Sequence, residues 1–485
     1  MSNIKDLNPS VVWNNFYLLT RQPRPSKHEE KVRAFLLQWG KEHGIETFAD
    51  ETGNVIMRAP ATPGYENRRG VILQAHMDMV PQKIASSRHD FLNDPIETVI
   101  DGDWVKANGT TLGADDGLGV AFAMSILEDK TVKHGPVEVL ITYDEETGMT
   151  GAECLKPGIF NGDILINVDS EDDDELCIGC AGGLDAIADF AYKSIPAPEG
   201  YEGYTIAVKG LQGGHSGMDI SLYRANANKL VANALLPLLE KYGVKLASLT
   251  GGSLRNAIPF EAEASILVPV SRVKAVKASV RKYFASAAAV YKESDPSMAT
   301  LIEKSAPARK YIEDAVALNA VKAIIACPSN VIRMSQSMPG LTETSINLAV
   351  VRCGRGHLTI ASLMRSAIDA SKAELAERVR CIFELAGAKI KFVGGYSGWV
   401  PRPDTPIIKL MCDTYERLFG EKINVRATHG GLECALLGAK YPNWEMVSIG
   451  PTVRYPHSPD ERTYIPSAAK TWEYIKAVLE AIPEK

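Results

Sequence analysis

The sequence predicts an α/β protein: a mixed, mostly parallel sheet sandwiched by helices, with an α+β domain inserted into it. Three observations carry this. Helix and strand signals alternate over the first 185 residues; longer amphipathic helices and strands fill the middle; and the early style returns near the end. A chain of 485 residues is also too long for one ordinary core, so more than one domain is expected.

Taken in order, Ser26 and Glu29 have the spacing of a capping box, and Val32, Phe35, Leu36 and Trp39 then recur at helical intervals until Gly44. Short apolar runs follow at 71–75 (VILQA), 137–143 (VEVLITY) and 164–168 (ILINV). Their length and β-branched content suit buried strands of a mostly parallel sheet. Between the first two, 117–127 (GLGVAFAMSIL) is rich in small residues and reads as a helix packed tightly on that sheet. From about 186 to 395 the pattern changes to longer helices, such as 224–242, alternating with strands such as 203–209 and 263–270. A separate α+β domain of the split β-α-β kind looks like this. Beyond Trp399, helical 406–419 and strand-like 444–450 (WEMVSIG) resume the first style. The expected organisation is one discontinuous domain, 1–185 plus 396–485, interrupted by another at 186–395.

Composition narrows the function classes. A hydrophobic share of 45% with 23% charged residues is that of a soluble globular protein. A net charge of -6 offers no basic footprint for nucleic acid or an anionic membrane, so neither partner is expected. No apolar run approaches a membrane span, and the polar start MSNIKDLNPS does not read as a secretory signal, so a cytoplasmic location is expected. Cys177 and Cys180 form a C-x-x-C that could be a redox pair or half a zinc site. No second C-x-x-C exists, and buried structural thiols are the favoured reading. The acidic run Glu171 to Glu175 reads as a solvated loop.

The chemistry lies where the first three strands end. The first runs into His76, Met77 and Asp78; the second into Asp144, Glu145 and Glu146; the third into Asp169. Ligands of open α/β sheets bind at the carboxyl ends of the strands. Asp115 and Asp116 stand just before the small-residue helix, where a helix N-terminus tolerates negative charge. Carboxylates packed this densely repel one another unless a cation neutralises them. Imidazole and carboxylate donors suit zinc, and their number suggests two ions, about 3.5–4 Å apart and sharing one activated water. In His76-Met77-Asp78 the strand period puts both polar side chains on one side, so Asp78 can orient His76. Glu145 and Glu146, being adjacent, point differently, which lets one bind metal while the other carries protons.

These residues resemble a known family. His76-Met77-Asp78, Gly113-Ala114-Asp115-Asp116-Gly117, Glu145-Glu146 with Gly148-Met149, Asn167-Val168-Asp169-Ser170-Glu171 and Pro456-His457-Ser458-Pro459-Asp460-Glu461 are similar to successive motifs of the aminoacyl-histidine dipeptidases. These Xaa-His dipeptidases, or bacterial carnosinases, are a branch of the aminoacylase and carboxypeptidase G2-like dinuclear zinc metallopeptidases, and the resemblance covers nearly the whole chain. It implies that Asp115 bridges two zinc ions, that His76 and Asp169 bind one, and that Glu146 and His457 bind the other. Asp78 and Glu145 match the orienting aspartate and the general base.

The inserted segment resembles the family's lid, through Gly213-Gly214-His215-Ser216-Gly217, Arg255-Asn256-Ala257-Ile258-Pro259 and Arg365-Ser366. His215, Asn256 and Arg365 are thereby implied in gripping the substrate carboxylate or the oxyanion. Gly430 and Gly431, in Gly430-Gly431-Leu432-Glu433-Cys434, resemble the loop lining the substrate's C-terminal end; the role of His429 is left open. Met77, Asp116 and Thr147 depart from the commoner Leu, Asn and Ala, and Asp116 bears on metal preference, so cobalt and manganese stay open beside zinc. The implied activity is hydrolysis of short dipeptides, preferably Xaa-His, by a homodimer joined through the lid. Alternatives are an N-acyl amino acid amidohydrolase or a broader-specificity dipeptidase of the same architecture, a two-metal phosphoesterase and a catalytically silent metal-stabilised scaffold.

Overall fold

The computed structural model describes residues 3–485, and the chain divides into two compact units. The first comprises Met1–Gly179, Pro401–Ala427 and Leu432–Lys485; the second comprises Cys180–Val400 and Thr428–Gly431.

An eight-stranded sheet organises the first unit, in the order Glu46–Ala49, Val55–Ala59, Val137–Thr142, Val71–His76, Ile164–Asn167, Glu445–Ser448, Glu175–Cys180 and Asn424–Thr428. Val71–His76 runs parallel to both Val137–Thr142 and Ile164–Asn167, and Glu445–Ser448 runs parallel to Ile164–Asn167. Every residue of the first three of these strands is buried, which explains their unbroken apolar runs: a parallel strand is covered on both faces.

One cover is the helix Ala114–Glu128. Asp115 and Asp116 have non-helical backbone angles, so its regular turns begin at Gly117. From there to Leu127 every side is buried, between strand Val71–His76 and helix Ser10–Thr20. A helix apolar all round belongs in such a position. Small residues allow the close approach: a Cβ on Gly117 would meet the Arg24 guanidinium and stand 3.1 Å from a Phe16 ring carbon.

The capping box at Ser26 does not form. The helix starts at Glu30; Ser26 Oγ donates to the Met79 carbonyl at 3.4 Å, and Glu29 Oε1 accepts Lys27 N–H at 2.8 Å. Pro25 bridges to Met79, and this tertiary pairing draws Ser26 away from the helix end. Gly44, with φ +66°, ends the helix in the left-handed conformation that glycine adopts at no steric cost.

A smaller sheet in the same unit runs Val453–Arg454, Arg462–Tyr464, Trp104–Ala107, Thr98–Asp101. Its hairpin between Arg454 and Arg462 projects the loop that carries His457 and Glu461. Tyr455 and His457 both sit in left-handed backbone, at φ +56° and +60°. Such strain in non-glycine residues gathers at functional sites.

The second unit is an antiparallel sheet in the order Ala299–Ser305, Tyr201–Lys209, Ala262–Pro269, Lys245–Gly251, Thr342–Gly354, His357–Ser366, Gly182–Ala191, Lys389–Val393, with Asn330–Met334 added beside Thr342–Gly354. Helices Ala227–Lys241, Val273–Val290, Asp314–Ala326 and Asp369–Leu385 share its core, around Val231, Leu235, Val280, Ile324 and Phe383. Asn226 caps the first of them by accepting Lys229 N–H. Cys177 and Cys180 are both buried on strand Glu175–Cys180. Three residues apart on a strand, they point to opposite faces with Cα atoms roughly 10 Å apart, beyond the reach of a disulfide. The run Glu171–Glu175 is tied to the body through pairs such as Asp172–Arg454 and Glu175–Arg426. Among the described residues no helix is long and apolar enough to cross a membrane.

Gly117→Ala is expected to lower the unfolding free energy by about 1–3 kcal/mol, the usual cost of overpacking a tight contact. Urea denaturation of the variant checks this; an unchanged midpoint contradicts the close-approach account.

Candidate active site

Because the three central strands lie parallel and side by side, their carboxyl ends share one edge of the sheet. His76 is the last residue of its strand, Glu145 and Glu146 form a one-turn helix just after theirs, and Asp169 follows two residues beyond its own. Asp115 comes from the start of the buried helix and His457 from the hairpin loop.

The resulting geometry centres on Asp115. Its Oδ1 is 3.1 Å from His76 Nε2, and its Oδ2 is 3.1 Å from His457 Nε2. His76 Nε2 is also 3.4 Å from Asp169 Oδ1, and His457 Nε2 is 2.9 Å from Glu146 Oε2. One carboxylate thus faces two separate imidazole–carboxylate pairs. On the other side of His76, Nδ1 stands 3.3 Å from Asp78 Oδ1. The same carboxylate accepts the backbone N–H groups of Glu145 (3.0 Å) and Glu146 (3.2 Å), so one group faces the imidazole and anchors the short helix. Asp116, although adjacent to Asp115, is occupied in the backbone: its oxygens accept His76 N–H at 3.2 Å and Gly119 N–H at 3.0 Å.

Three buried residues that sequence reasoning gave no role build the frame. Glu461 accepts the N–H groups of Leu112 and Gly113 on Oε2 (2.8 and 3.0 Å) and of Ala114 and Asp115 on Oε1 (2.7 and 3.3 Å). Arg24 donates to the Met77 and Asp78 carbonyls at 3.0 and 2.9 Å, and to that of Gly113. Glu433 Oε2 accepts from Gln74 Nε2 at 2.7 Å and Thr142 Oγ1 at 2.6 Å. No local pattern marks Arg24. Glu461 lay within a quoted motif, but its partners are some 346 to 349 positions away.

The electrostatics reflect crowded negative charge. Burial raises Glu145 well above the usual carboxylate range and Asp169 to about 7. Burial opposes protonation of His76, yet Asp169, Asp115 and Asp78 override it and hold the imidazole well above its ordinary value. Hydrogen bonds to Asp115 and Glu146 push His457 up to about 11. Burial likewise opposes ionisation of Asp115, but His457 and His76 hold it below its usual range. Both histidines and two of the acids are thus shifted towards the protonated form, as expected where negative charge is in excess.

The donor set fits divalent cations on two counts. It combines imidazole with carboxylate. In addition, Glu146 Oε1 is buried with no hydrogen-bond partner, an electron pair aimed where a cation would satisfy it. Ligand atoms of Asp115, Glu146 and His457 lie within 4.8 Å of one another, as do those of His76, Glu145 and Glu146.

The remaining expected residues belong to the second unit. His215 Nδ1 accepts the N–H groups of Gly217 (3.3 Å) and Met218 (3.1 Å), which assigns the ring proton to Nε2. Asn256 is exposed, and its carbonyl accepts Ser216 N–H at 2.8 Å. Arg365 is buried with an unpartnered Nε. His429 is buried too, with Nε2 2.7 Å from Ser345 Oγ; burial, helped by Arg365 and His215, pushes it down to about 3, so it stays neutral. Gly430 accepts Ala181 N–H at 3.0 Å, and Gly431 follows it. His215, Arg365 and His429 therefore share one neighbourhood, and Asn256 joins it through its backbone carbonyl.

Comparison with known proteins identifies the family and the fold. The model of the family described as Peptidase family M20/M25/M40 matches residues 72–481. The cytosol non-specific dipeptidase of Escherichia coli is 41% identical over 485 residues, covering 100% of both chains. The crystal structure of aminoacylhistidine dipeptidase from Vibrio alginolyticus superposes with a TM-score of 0.91 at 42% identity, covering 100% of this chain and 99% of that one. Aminopeptidase PepT from Bacillus cereus, at 16% identity with a TM-score of 0.58 over 98% and 99% of the two chains, shares the fold.

Removing the carboxylate of Glu461 leaves four backbone N–H groups without an acceptor. Glu461→Ala is expected to cost about 3 kcal/mol or more, since each orphaned buried group costs roughly 1–3 kcal/mol. Chemical denaturation measures it, and a loss under about 1 kcal/mol would show that water replaces the side chain.

Proposed function

The chain belongs to peptidase family M20/M25/M40, and we propose that it is a dipeptidase hydrolysing unblocked dipeptides, Xaa-His among them, with two divalent ions and Glu145 as proton carrier. The observation that carries the reading is the placement of Asp115, whose two oxygens face His76 and His457 separately. Full-length likeness to two dipeptidases, one named non-specific and one aminoacylhistidine, supports the substrate class.

When held by His76, Asp169, Asp115, Glu146 and His457, zinc ions supply Lewis acidity that polarises a scissile carbonyl and brings the pKa of a water towards about 7. The chain's own groups do the rest. Glu145 is anchored by its N–H on Asp78, and burial holds its carboxyl well above the usual carboxylate range, which favours its taking up a proton. It removes a proton from the attacking water and passes it to the leaving amine. Asp78 fixes the ring of His76 through Nδ1, so that Nε2 faces Asp115 and Asp169. His215, with its proton on Nε2, and Arg365, with a free Nε donor, are suited to the oxyanion and the substrate carboxylate. Gly430 and Gly431 line the C-terminal side of the substrate, and Asn256 assists.

The reading extends to a cytoplasmic location, after the relative named for the cytosol, and to a homodimer through the second unit. Exposed Leu222, Tyr223, Ile332 and Met334 on that unit support the latter.

Glu145→Gln is expected to retain its metal while kcat falls by about 10²–10⁴-fold, the usual share of general acid–base catalysis. Metal analysis beside steady-state kinetics tests this, and full turnover in a metal-loaded variant sinks the assignment. Dialysis against a chelator should abolish dipeptide hydrolysis and zinc should restore it; hydrolysis that survives chelation contradicts the metal reading. Assayed on Xaa-His dipeptides, other dipeptides and N-acetyl amino acids, the enzyme should act on the first two classes. Preference for the N-acetyl compounds would make it an amidohydrolase instead.

A further inference from the structure

A second acidic group lies in the first unit and shares Asp78 with the site just described. Glu29, Asp78 and Asp144 are 0%, 0% and 4% exposed, and one carboxylate oxygen of each lies within 4.8 Å of those of the other two. Two of the three have their hydrogen bonds in order: Asp78 accepts the N–H groups of Glu145 and Glu146, and Asp144 accepts the hydroxyls of Thr147 and Thr150. Glu29 does not. Its Oε1 accepts Lys27 N–H at 2.8 Å, whereas its Oε2 is buried with no hydrogen-bond partner.

The charges that bear on Glu29 are those of Asp78 and Asp144, both negative. Arg24 donates to the Asp78 carbonyl and its charge also bears on Asp78, and His76 stands 3.3 Å from Asp78 Oδ1, so this positive charge falls on the Asp78 side of the group. Three buried carboxylates this close require positive charge shared among them. A single proton bridges one pair and leaves the third carboxylate facing it, whereas a cation takes electron pairs from all three. The donors are all oxygen, without imidazole or thiolate, which selects a hard ion of the calcium or magnesium kind over zinc. Separations of up to 4.8 Å are what oxygens around one ion at roughly 2.0–2.6 Å span.

We propose that Glu29, Asp78 and Asp144 form a third cation site, for Ca2+ or Mg2+. The ion shares Asp78 with the machinery described above, so it stiffens the group that orients His76 and anchors the helix of Glu145 without touching substrate. It acts on position, and the inference stands whichever dipeptides the enzyme prefers.

The test is an ion count on the zinc-loaded full chain, dialysed to equilibrium against CaCl2 alone or MgCl2 alone and analysed by mass spectrometry of the elements. The expected result is one Ca2+ or Mg2+ per chain beyond the zinc in the wild type, with zinc kept and the added ion lost in both Glu29→Gln and Asp144→Asn. A wild type that takes up neither ion overturns the proposal and assigns the charge to a proton; so does an added ion that persists in both variants. Should neither variant fold, an anomalous difference map of wild-type crystals grown in CaCl2 decides, by a peak between the three carboxylates or none. Zinc is counted separately, so failure of the dinuclear reading and failure of the third site are distinguishable.

Discussion

Asp115 can face two imidazoles at once only because the backbone from Leu112 to Asp115 is held rigidly, and that hold is the carboxylate of Glu461. Four amides converging on one buried acid form an anion-binding nest, supplied here by the chain itself. The loop so gripped also receives the guanidinium of Arg24 at Gly113, and Arg24 in turn ties down the carbonyls after strand Val71–His76. Loop, strand end and hairpin are therefore one braced assembly, and the spacing between His76 and His457 follows from it.

This bracing clarifies how a protein tolerates so many acids in so little space. Several carboxylates near the centre have a backbone or imidazole partner on one side: Asp78 the amides of Glu145 and Glu146, Asp116 those of His76 and Gly119, Asp115 the two histidines. Such partners favour the ionised form and fix its direction. The charge is kept because it is aimed. Asp116 shows the other use of the same residue type: burial raises it well above the usual carboxylate range, and its oxygens join a strand end to a helix start.

Much of the fold was legible because burial leaves a periodic trace. The runs at 71–75, 137–143 and 164–168 announce parallel strands, and the small residues from 117 onward announce a helix with no room to spare. The polar residues at the strand ends are legible for the same reason, since they interrupt apolar runs. What was not legible is long-range. His457 stands in a hairpin loop with no periodic signal, and only likeness to a family singled it out; the structure places it 2.9 Å from Glu146. Arg24 has no mark in the sequence. The box at Ser26 and Glu29 misled, because a local motif is a competition and Met79 offered Ser26 a tertiary partner. That the short segment Thr428–Gly431 goes with the second unit likewise has no compositional mark.

The order of residues along the chain has a consequence for synthesis. The acidic strand ends and Asp115 are made early, whereas His457 and Glu461 follow the whole of the inserted unit. A ribosome-bound nascent chain thus carries the acids of the centre before the histidine and the nest-filling carboxylate that complete it. Domains fold as units while translation proceeds. Here the first unit waits for the segments that follow the inserted one, so its sheet and the set of side chains at the strand ends are completed only after most of the second unit has been made.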